Sequence, residues 1–396
     1  MAEALPQTSL AKDLLLIGGG HSHVTVLKEF GLKPMPGVRL AVVSREVLTP
    51  YSGMLPGLVA GHYQFHETHI DLAPLAQFAG ARLLHDEVVR LDLAANQAFL
   101  KTNTPLGYDV LSIDVGSTPD MTEVSGAAET AVPVKPISNF MVRWERLKDR
   151  VLAATGTVRI GVVGAGAGGV ELTLAIQYAL RQMLDDRKNA PGLEFHLFSS
   201  SEILPTHNAK VRAKFRRVLA EREVGVHTGS PVAEVGSGWL RLKNGNKIPL
   251  DEILWVTQAR AAAWLKEAGL ATDARGFVQV ADTLESVSHR GVFAAGDVAA
   301  MVNHPREKAG VFAVRQGKPL EENLRRALRG EPLQPFVPQQ KFLGLISTGD
   351  RYAIASRANW SIEGRYVWKI KDWIDRRFME KYQNLPDNLP NQRDGK

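Results

Sequence analysis

The residues best equipped for chemistry in this chain of 396 residues are two glycine-rich turns, each set between an apolar run and a helical pattern. The first reads Ile17-Gly18-Gly19-Gly20-His21-Ser22-His23. The second reads Gly164-Ala165-Gly166-Ala167-Gly168-Gly169-Val170-Glu171, after the apolar run Val158 to Val163. Glycines in such a turn let the backbone approach a pyrophosphate, and the helix that follows offers free N–H groups and the positive end of its dipole. Two such units imply two dinucleotides, a flavin and a nicotinamide. The chain contains no cysteine, so the thiol relay used by many two-dinucleotide flavoproteins is excluded. Electrons must leave the flavin directly for an external acceptor.

Gly164, Gly166 and Gly169 fill all three glycine positions of the second turn. The first turn departs from the pattern, with His23 where a third glycine normally allows close packing of helix on strand. His21 and His23 form a His-x-His pair without a third ligand, so we expect no metal and expect both rings to pack on the pyrophosphate and the neighbouring strand. Asp297 follows Gly296 at the end of Gly291 to Ala295, where a carboxylate meets the ribityl or phosphate end of a flavin dinucleotide. The strand tips at Ser44-Arg45 and Ser199-Ser200-Ser201 lack the acid that usually binds a ribose. Either NADH or NADPH therefore remains open.

The elements that must position these residues alternate in the α/β manner. Strand 13–17, helix 21–30 and strand 39–44 make a Rossmann opening, and helix 139–153, strand 158–163, helix 170–183 and strand 194–198 repeat it. Val88 to Asp92, Gln97 to Leu100 and Tyr108 to Asp114 read as three successive strands of an antiparallel crossover, and Val115 to Pro136 as a linker. The expected fold is α/β: two Rossmann-like dinucleotide-binding domains plus a C-terminal α+β region with an amphipathic helix. The boundaries are 1–130 and 270–330 for the flavin unit, 131–269 for the nicotinamide unit inserted in it, and 331–396 for the C-terminal region. Over Tyr366 to Tyr382, apolar residues at 366, 367, 370, 373, 374, 378 and 382 form a stripe opposite Lys369, Lys371, Arg376, Arg377 and Lys381. That stripe suits a membrane surface, the body of the protein, or a second subunit in a homodimer.

With 44% hydrophobic and 23% charged residues the chain is globular. A net charge of +6 from 48 basic and 42 acidic residues is too mild for nucleic-acid binding. No leader is read before the first strand, and Leu14 to Ile17 is too short to span a bilayer. A cytoplasmic protein, free or peripheral on the inner face of a membrane, is expected.

These residues resemble the flavin-dependent pyridine nucleotide oxidoreductases, in their type II NADH:quinone oxidoreductase-like branch. The resemblance rests on both glycine turns, on Tyr108 to Ser117, on Gly291 to Asp297, and on Ala313-Val314-Arg315-Gln316-Gly317. Thr49-Pro50-Tyr51-Ser52-Gly53-Met54-Leu55-Pro56-Gly57 and Lys371-Asp372-Trp373-Ile374-Asp375-Arg376-Arg377-Phe378-Met379 more closely resemble the flavoprotein domain fused to selenide, water dikinase. The resemblance implies FAD held by Gly18, Gly19, Gly20 and His21 at its pyrophosphate, with His23, Ser44, Arg45 and Gly116 nearby. Gly296 and Asp297 would lie at the ribityl chain, and Pro50 and Tyr51 at the isoalloxazine edge. Gly164, Gly166 and Gly169 would take NADH or NADPH. Glu171 is implied near the nicotinamide, against a plain reading as a carboxylate favoured by the helix dipole. Gln316 is implied beside the acceptor edge of the flavin, and a quinone-like small molecule as acceptor. A second glutamine usual early in that helix is replaced here by Gly310-Val311-Phe312. Glu171 or Lys341 would supply protons, Lys341 by its place between Pro338 and an apolar run. Two rival readings are a reductase of a selenium or sulfur compound or of a protein partner, and a non-catalytic flavin module that regulates a partner.

Overall fold

The computed structural model describes residues 11–257 and 259–386. Strands β1 (Lys12–Ile17), β2 (Val38–Ser44), β3 (Arg82–His85) and β4 (Val110–Ile113) lie parallel in one sheet. A second parallel sheet holds β5 (Val132–Pro133), β6 (Val158–Val163), β7 (Leu193–Phe198), β8 (Val224–His227) and β9 (Glu252–Trp255), in the order β5-β9-β6-β7-β8. The chain then returns to the first sheet as β10 (Val292–Ala294), giving β10-β4-β1-β2-β3. Leu14 to Ile17 and Val110 to Ile113 are buried throughout, which is why each reads as a continuous apolar run rather than an alternation. Both β1 and β6 lie between neighbours whose connections diverge. The crevice beyond their C-terminal ends is where this architecture binds ligands.

Helix α1 (His21–Leu32) follows β1, α2 (Ile137–Ala153) precedes β6, and α3 (Ala167–Leu184) follows it. Helix α4 (Gly310–Arg329) packs on α1, and α5 (Arg365–Gln383) closes the described chain against a small antiparallel sheet of Gly344–Ser347, Ala353–Arg357 and Trp360–Gly364.

Three local expectations are corrected. The third strand of the antiparallel crossover is Leu106–Gly107, whereas Val110–Ile113 runs parallel between β1 and β10. Its four residues are buried on both faces, a pattern suited to a sheet centre and not to an exposed crossover. The stretch 115–136 is not a bare linker, since it carries a short helix, Ala127–Thr130, and β5, which pairs with β9. Helix α5 buries Val367, Lys371, Asp375, Met379 and Tyr382, while Tyr366, Ile370, Trp373 and Ile374 are exposed. The apolar stripe is thus split, and a charged pair faces inward.

The α1–α4 crossing depends on a missing side chain. A Cβ at Gly317 would lie 2.5 Å from Thr25 Cβ, so the two helices meet backbone to side chain, and the Thr25 hydroxyl in turn bonds the Tyr382 hydroxyl at 2.8 Å. Gly317→Val should force the helices apart and lower unfolding free energy by about 2 kcal/mol or more in urea titrations. A change under about 0.5 kcal/mol would mean the crossing is slack there.

Candidate functional site

A cavity of about 600 Å³ opens at the C-terminal edge of the first sheet. Its wall includes Gly18, Gly19, Gly20 and His21 from the first turn, Ser44 at the end of β2 with Arg45 and Glu46 beyond it, Pro50, Gly116, Lys135 and Asp297. At its far end Asp297 accepts from Lys135 Nζ at 2.8 Å and faces the Ser117 hydroxyl at 3.3 Å. Burial alone would raise the Asp297 pKa, but Lys135 and Lys308 outweigh it and hold the carboxylate below its ordinary value. His21 lies on the same wall. Its Nε2 is buried with no hydrogen-bond partner among the described residues, and burial lowers its pKa to about 4 against the pull of Asp297.

These residues fit a flavin dinucleotide. The cavity is lined by a glycine turn and a helix N-terminus, the Cβ position of Gly116 meets no atom within 4 Å, and the orphaned His21 nitrogen asks for a polar partner from within the cavity. Tyr51 packs its ring 4.5 Å from Phe378 and 5.5 Å from His21, so it backs the cavity through His21 rather than lining it. Arg45 is exposed and lies 3.7 Å from Glu87.

His23 fills the space that a third glycine would leave. Its Nδ1 lies 2.7 Å from the Gly18 carbonyl, which can only accept, so Nδ1 carries the proton and Nε2 accepts from the Ser112 hydroxyl at 2.8 Å. Beside it the Asp114 carboxylate takes the Ser22 N–H at 2.9 Å and the His23 N–H at 3.3 Å. The second turn is built differently. A Cβ at Gly169 would sit 1.7 Å from the Gly164 carbonyl, so α3 approaches β6 as closely as backbone allows, while Gly166 and Gly168 face open space. Only glycine fits at Gly169, and a dinucleotide phosphate fits over the other two.

Near the start of α3, Glu171 Oε1 accepts from the Ser347 N–H at 2.7 Å and its hydroxyl at 3.0 Å. Burial raises the Glu171 pKa, opposed by Lys371. Lys371 Nζ donates to the Gly53 carbonyl at 2.8 Å and to Asp375 at 2.6 Å, and Asp375 faces the Tyr51 hydroxyl. Burial works against the ammonium, but Asp375 and Glu171 prevail and raise its pKa. A charged chain therefore runs from α3 through α5 to the ring that backs the cavity.

The other expected acceptor-side residues do not join it. Gln316 is buried and its side-chain oxygen accepts the Gly296 N–H at 2.7 Å, which fixes the turn carrying Asp297. Lys341 is exposed, and among the described residues no ion pair or hydrogen bond engages its ammonium. It follows a segment without regular structure. Three residues went unsingled in the sequence. Lys371 looked like one more solvated charge of a helix; Glu46 lies two residues beyond the tip of β2, past the position searched for a ribose acid; Asp114 ends an apolar strand. For Asp114 the signal was available, an acid closing a run of buried residues beside a glycine turn.

Burial also holds His23 down to about 4 from 6.5. The unfolded chain protonates this ring below its ordinary value and the folded one does not, so its contribution is complete above 6.5 and is lost as the pH falls to about 4, worth about 3 kcal/mol. In urea titrations between those pH values His23→Gln should lose less stability with acid than the parent by about that amount. Equal slopes would show that the ring titrates normally.

Comparison with known proteins agrees with this geometry. An NADH dehydrogenase-like protein of Mycobacterium tuberculosis is 25% identical over 69% of this chain and 72% of its own length. A type II NADH:quinone oxidoreductase of Haemophilus influenzae is 27% identical over 51% of this chain and 47% of its own. The structure of NDH2 from Plasmodium falciparum in complex with NADH has the same fold, with a TM-score of 0.79 over 94% of this chain and 98% of that one at 13% identity. The family described as Pyridine nucleotide-disulphide oxidoreductase matches residues 12–317, most of the chain, and this protein belongs to that family.

Proposed function

We propose that the protein is an FAD-dependent NAD(P)H oxidoreductase that passes two electrons to a quinone-like acceptor without a thiol relay. The observation that carries this reading is the pairing of the cavity between the first glycine turn and Asp297 with the chain from Glu171 through Lys371 and Asp375 to Tyr51. The names of the relatives point the same way. Bound flavin would take hydride from the nicotinamide and pass its electrons onward. Gly18, Gly19, Gly20 and His21 would hold its pyrophosphate, Glu46 the adenosine ribose, Gly116, Gly296 and Asp297 the ribityl end, and Pro50 and Tyr51 the ring edge. Gly164, Gly166 and Gly169 would hold NADH or NADPH.

The proton work falls to Glu171, with Lys371 facing it. Ser347 donates twice to Glu171 Oε1, which leaves Oε2 to carry a proton. Lys371, held as a cation, stands behind it, and the proton source is then Glu171 and not Lys341, the other expected donor. Gln316 acts through Gly296, as a positioning residue. Anaerobic stopped-flow tests this. With Glu171→Gln, flavin bleaching by NADH or NADPH should stay within about twofold, while reoxidation by a short-chain quinone should slow about 100-fold. Unchanged reoxidation at every pH would remove the relay.

One observation favours a second reading of the acceptor. The two segments that resemble the flavoprotein domain fused to selenide, water dikinase pack on each other, through Lys371 to Gly53 and Phe378 on Tyr51. A flavin reoxidised by selenite or a sulfur compound but not by quinone would establish that alternative.

The exposed face of α5 supports peripheral docking on the inner membrane face. Tyr366, Ile370, Trp373 and Ile374 lie outward, with Lys369, Arg377 and Lys381 exposed to meet anionic headgroups. Among the described residues no helix is long and apolar enough to cross a membrane. Replacing Ile370, Trp373 and Ile374 together by Ser should lower co-sedimentation with anionic vesicles about tenfold and leave the thermal unfolding midpoint unchanged. Undiminished co-sedimentation would rule the docking out.

A further inference from the structure

The first glycine turn holds an unusual competitor for its anion site. Helix α1 is capped at its N-terminus by Gly20, which has no side chain to offer, and carries no acid in its first turn. Its opening N–H groups are met from another strand, by Asp114 at the end of β4, whose carboxylate bonds the N–H of Ser22 and of His23. The fit is tight on two sides. A Cβ at Gly20 would stand 2.3 Å from this carboxyl, and one at Gly296 would stand 2.4 Å from its Oδ1. Two glycines of two separate cofactor-binding segments thus make room for one acid. Asp114 is 2% exposed, has no basic partner among the described residues, and also lies on the wall of the cavity.

We propose that Asp114 is a cofactor-binding residue that couples uptake of one proton to binding of the flavin dinucleotide. This rests on the reading of the cavity as a flavin site. The positive end of α1, worth about half an elementary charge, cannot satisfy both an ionised carboxylate and a pyrophosphate laid over Gly18 to His21. Protonating Asp114 removes one of the competing charges, and the neutral acid still accepts the two N–H bonds through one oxygen while its hydroxyl becomes a donor. The proton comes from solvent and stays on the carboxyl while the dinucleotide is bound. In the free protein burial already pushes Asp114 up to about 7, helped by Asp297 and opposed by the two N–H bonds.

The titratable neighbours from each packed element do not offer the same switch. His21 and His23 on α1 are held near 4 by burial and are neutral throughout. Asp297 stays ionised beside Lys135. Lys308, lowered to about 8 by burial, titrates at the top of the tested range, but it faces Asp297 and the Ala299 carbonyl and not Asp114, so any proton it exchanges persists in Asp114→Asn. The diphosphate ester itself carries no proton that titrates near neutrality. A pH response of affinity that Asp114→Asn abolishes therefore belongs to this carboxyl.

The test is calorimetric titration of the apoprotein with FAD in two buffers of different ionisation enthalpy, across pH 6.5 to 8.5, for the parent and for Asp114→Asn. Asparagine keeps an oxygen for the Ser22 and His23 N–H groups, and thermal melts of both apoproteins verify the fold. Above pH about 7 the parent should take up close to one proton per FAD, and its Kd should weaken towards about tenfold per pH unit. Asp114→Asn should lose that proton, keeping only what Lys308 exchanges near pH 8, with Kd changing less than about twofold between pH 6.5 and 7.5. Binding by the parent without proton uptake, or equal uptake by both proteins, overturns the proposal and leaves the flavin site intact. Failure of the folded parent to bind FAD at any pH overturns the flavin reading, and the proposal with it.

Discussion

A helix N-terminus has a fixed set of free N–H groups, and the two glycine-rich turns of this protein use theirs in different ways. At the second turn the close contact of Gly169 with the Gly164 carbonyl seats α3 directly on β6, and the donors face outward over Gly166 and Gly168. At the first, His23 keeps α1 off β1. The gap is filled by a polar cluster in which every partner is specified: His23 to the Gly18 carbonyl and Ser112, Asp114 to the Ser22 and His23 N–H groups. A buried polar cluster of this kind is stable only when each member is satisfied. The histidine, the serine and the aspartate therefore depend on one another, and none reads as an isolated departure from a glycine pattern.

The same logic governs the junction between the two sheets. Lys371 on α5 holds the Gly53 carbonyl, which belongs to the segment beside the first sheet, and faces Glu171 on α3 of the second. Removing a lysine and two carboxylates from water is unfavourable, and an apolar trio of similar size would stabilise the junction at least as well. Placement is what such a group supplies. The pair Lys371 and Asp375 ties α5 to Gly53 and to the Tyr51 hydroxyl while facing Glu171, and Arg376 ties the same helix to Glu67 at 2.5 Å.

The parallel strands and both glycine turns were legible in the sequence because burial on two faces produces continuous apolar runs, and because the turn geometry admits few residues besides glycine. Helix α1 and strands β6 and β7 lie within two residues of their expected ends. What escaped has a common cause. Whether Val110 to Ile113 ends a crossover or enters the main sheet depends on a partner, β10, almost 180 residues later, which no local pattern encodes. Period identified α5 as a helix but not which side meets the protein, since that is set by Gly53 and Glu171. Glu46 and Asp114 were hidden by looking for acids only at the positions where a ribose usually finds them.

Helix α5 is the clearest case of a rule broken for a reason. Burial of apolar area is the main stabilising term in water, at about 25 cal/mol per Å², so a helix serving only stability would turn Ile370, Trp373 and Ile374 inward and leave Lys371 and Asp375 in solvent. Here Trp373 is 58% exposed, and Lys371 is 8% exposed. Both halves of the inversion ask for partners outside ordinary folding: the inward charges for something that exchanges protons, the outward rings for something apolar. The lipophilic acceptor and peripheral docking of the proposed function would meet both requirements with one helix. Under the proposed function the chain offers no cysteine to relay electrons from a flavin, so an acceptor would have to come to the cofactor, and α5 is the element that presents charge on one side and an apolar surface on the other.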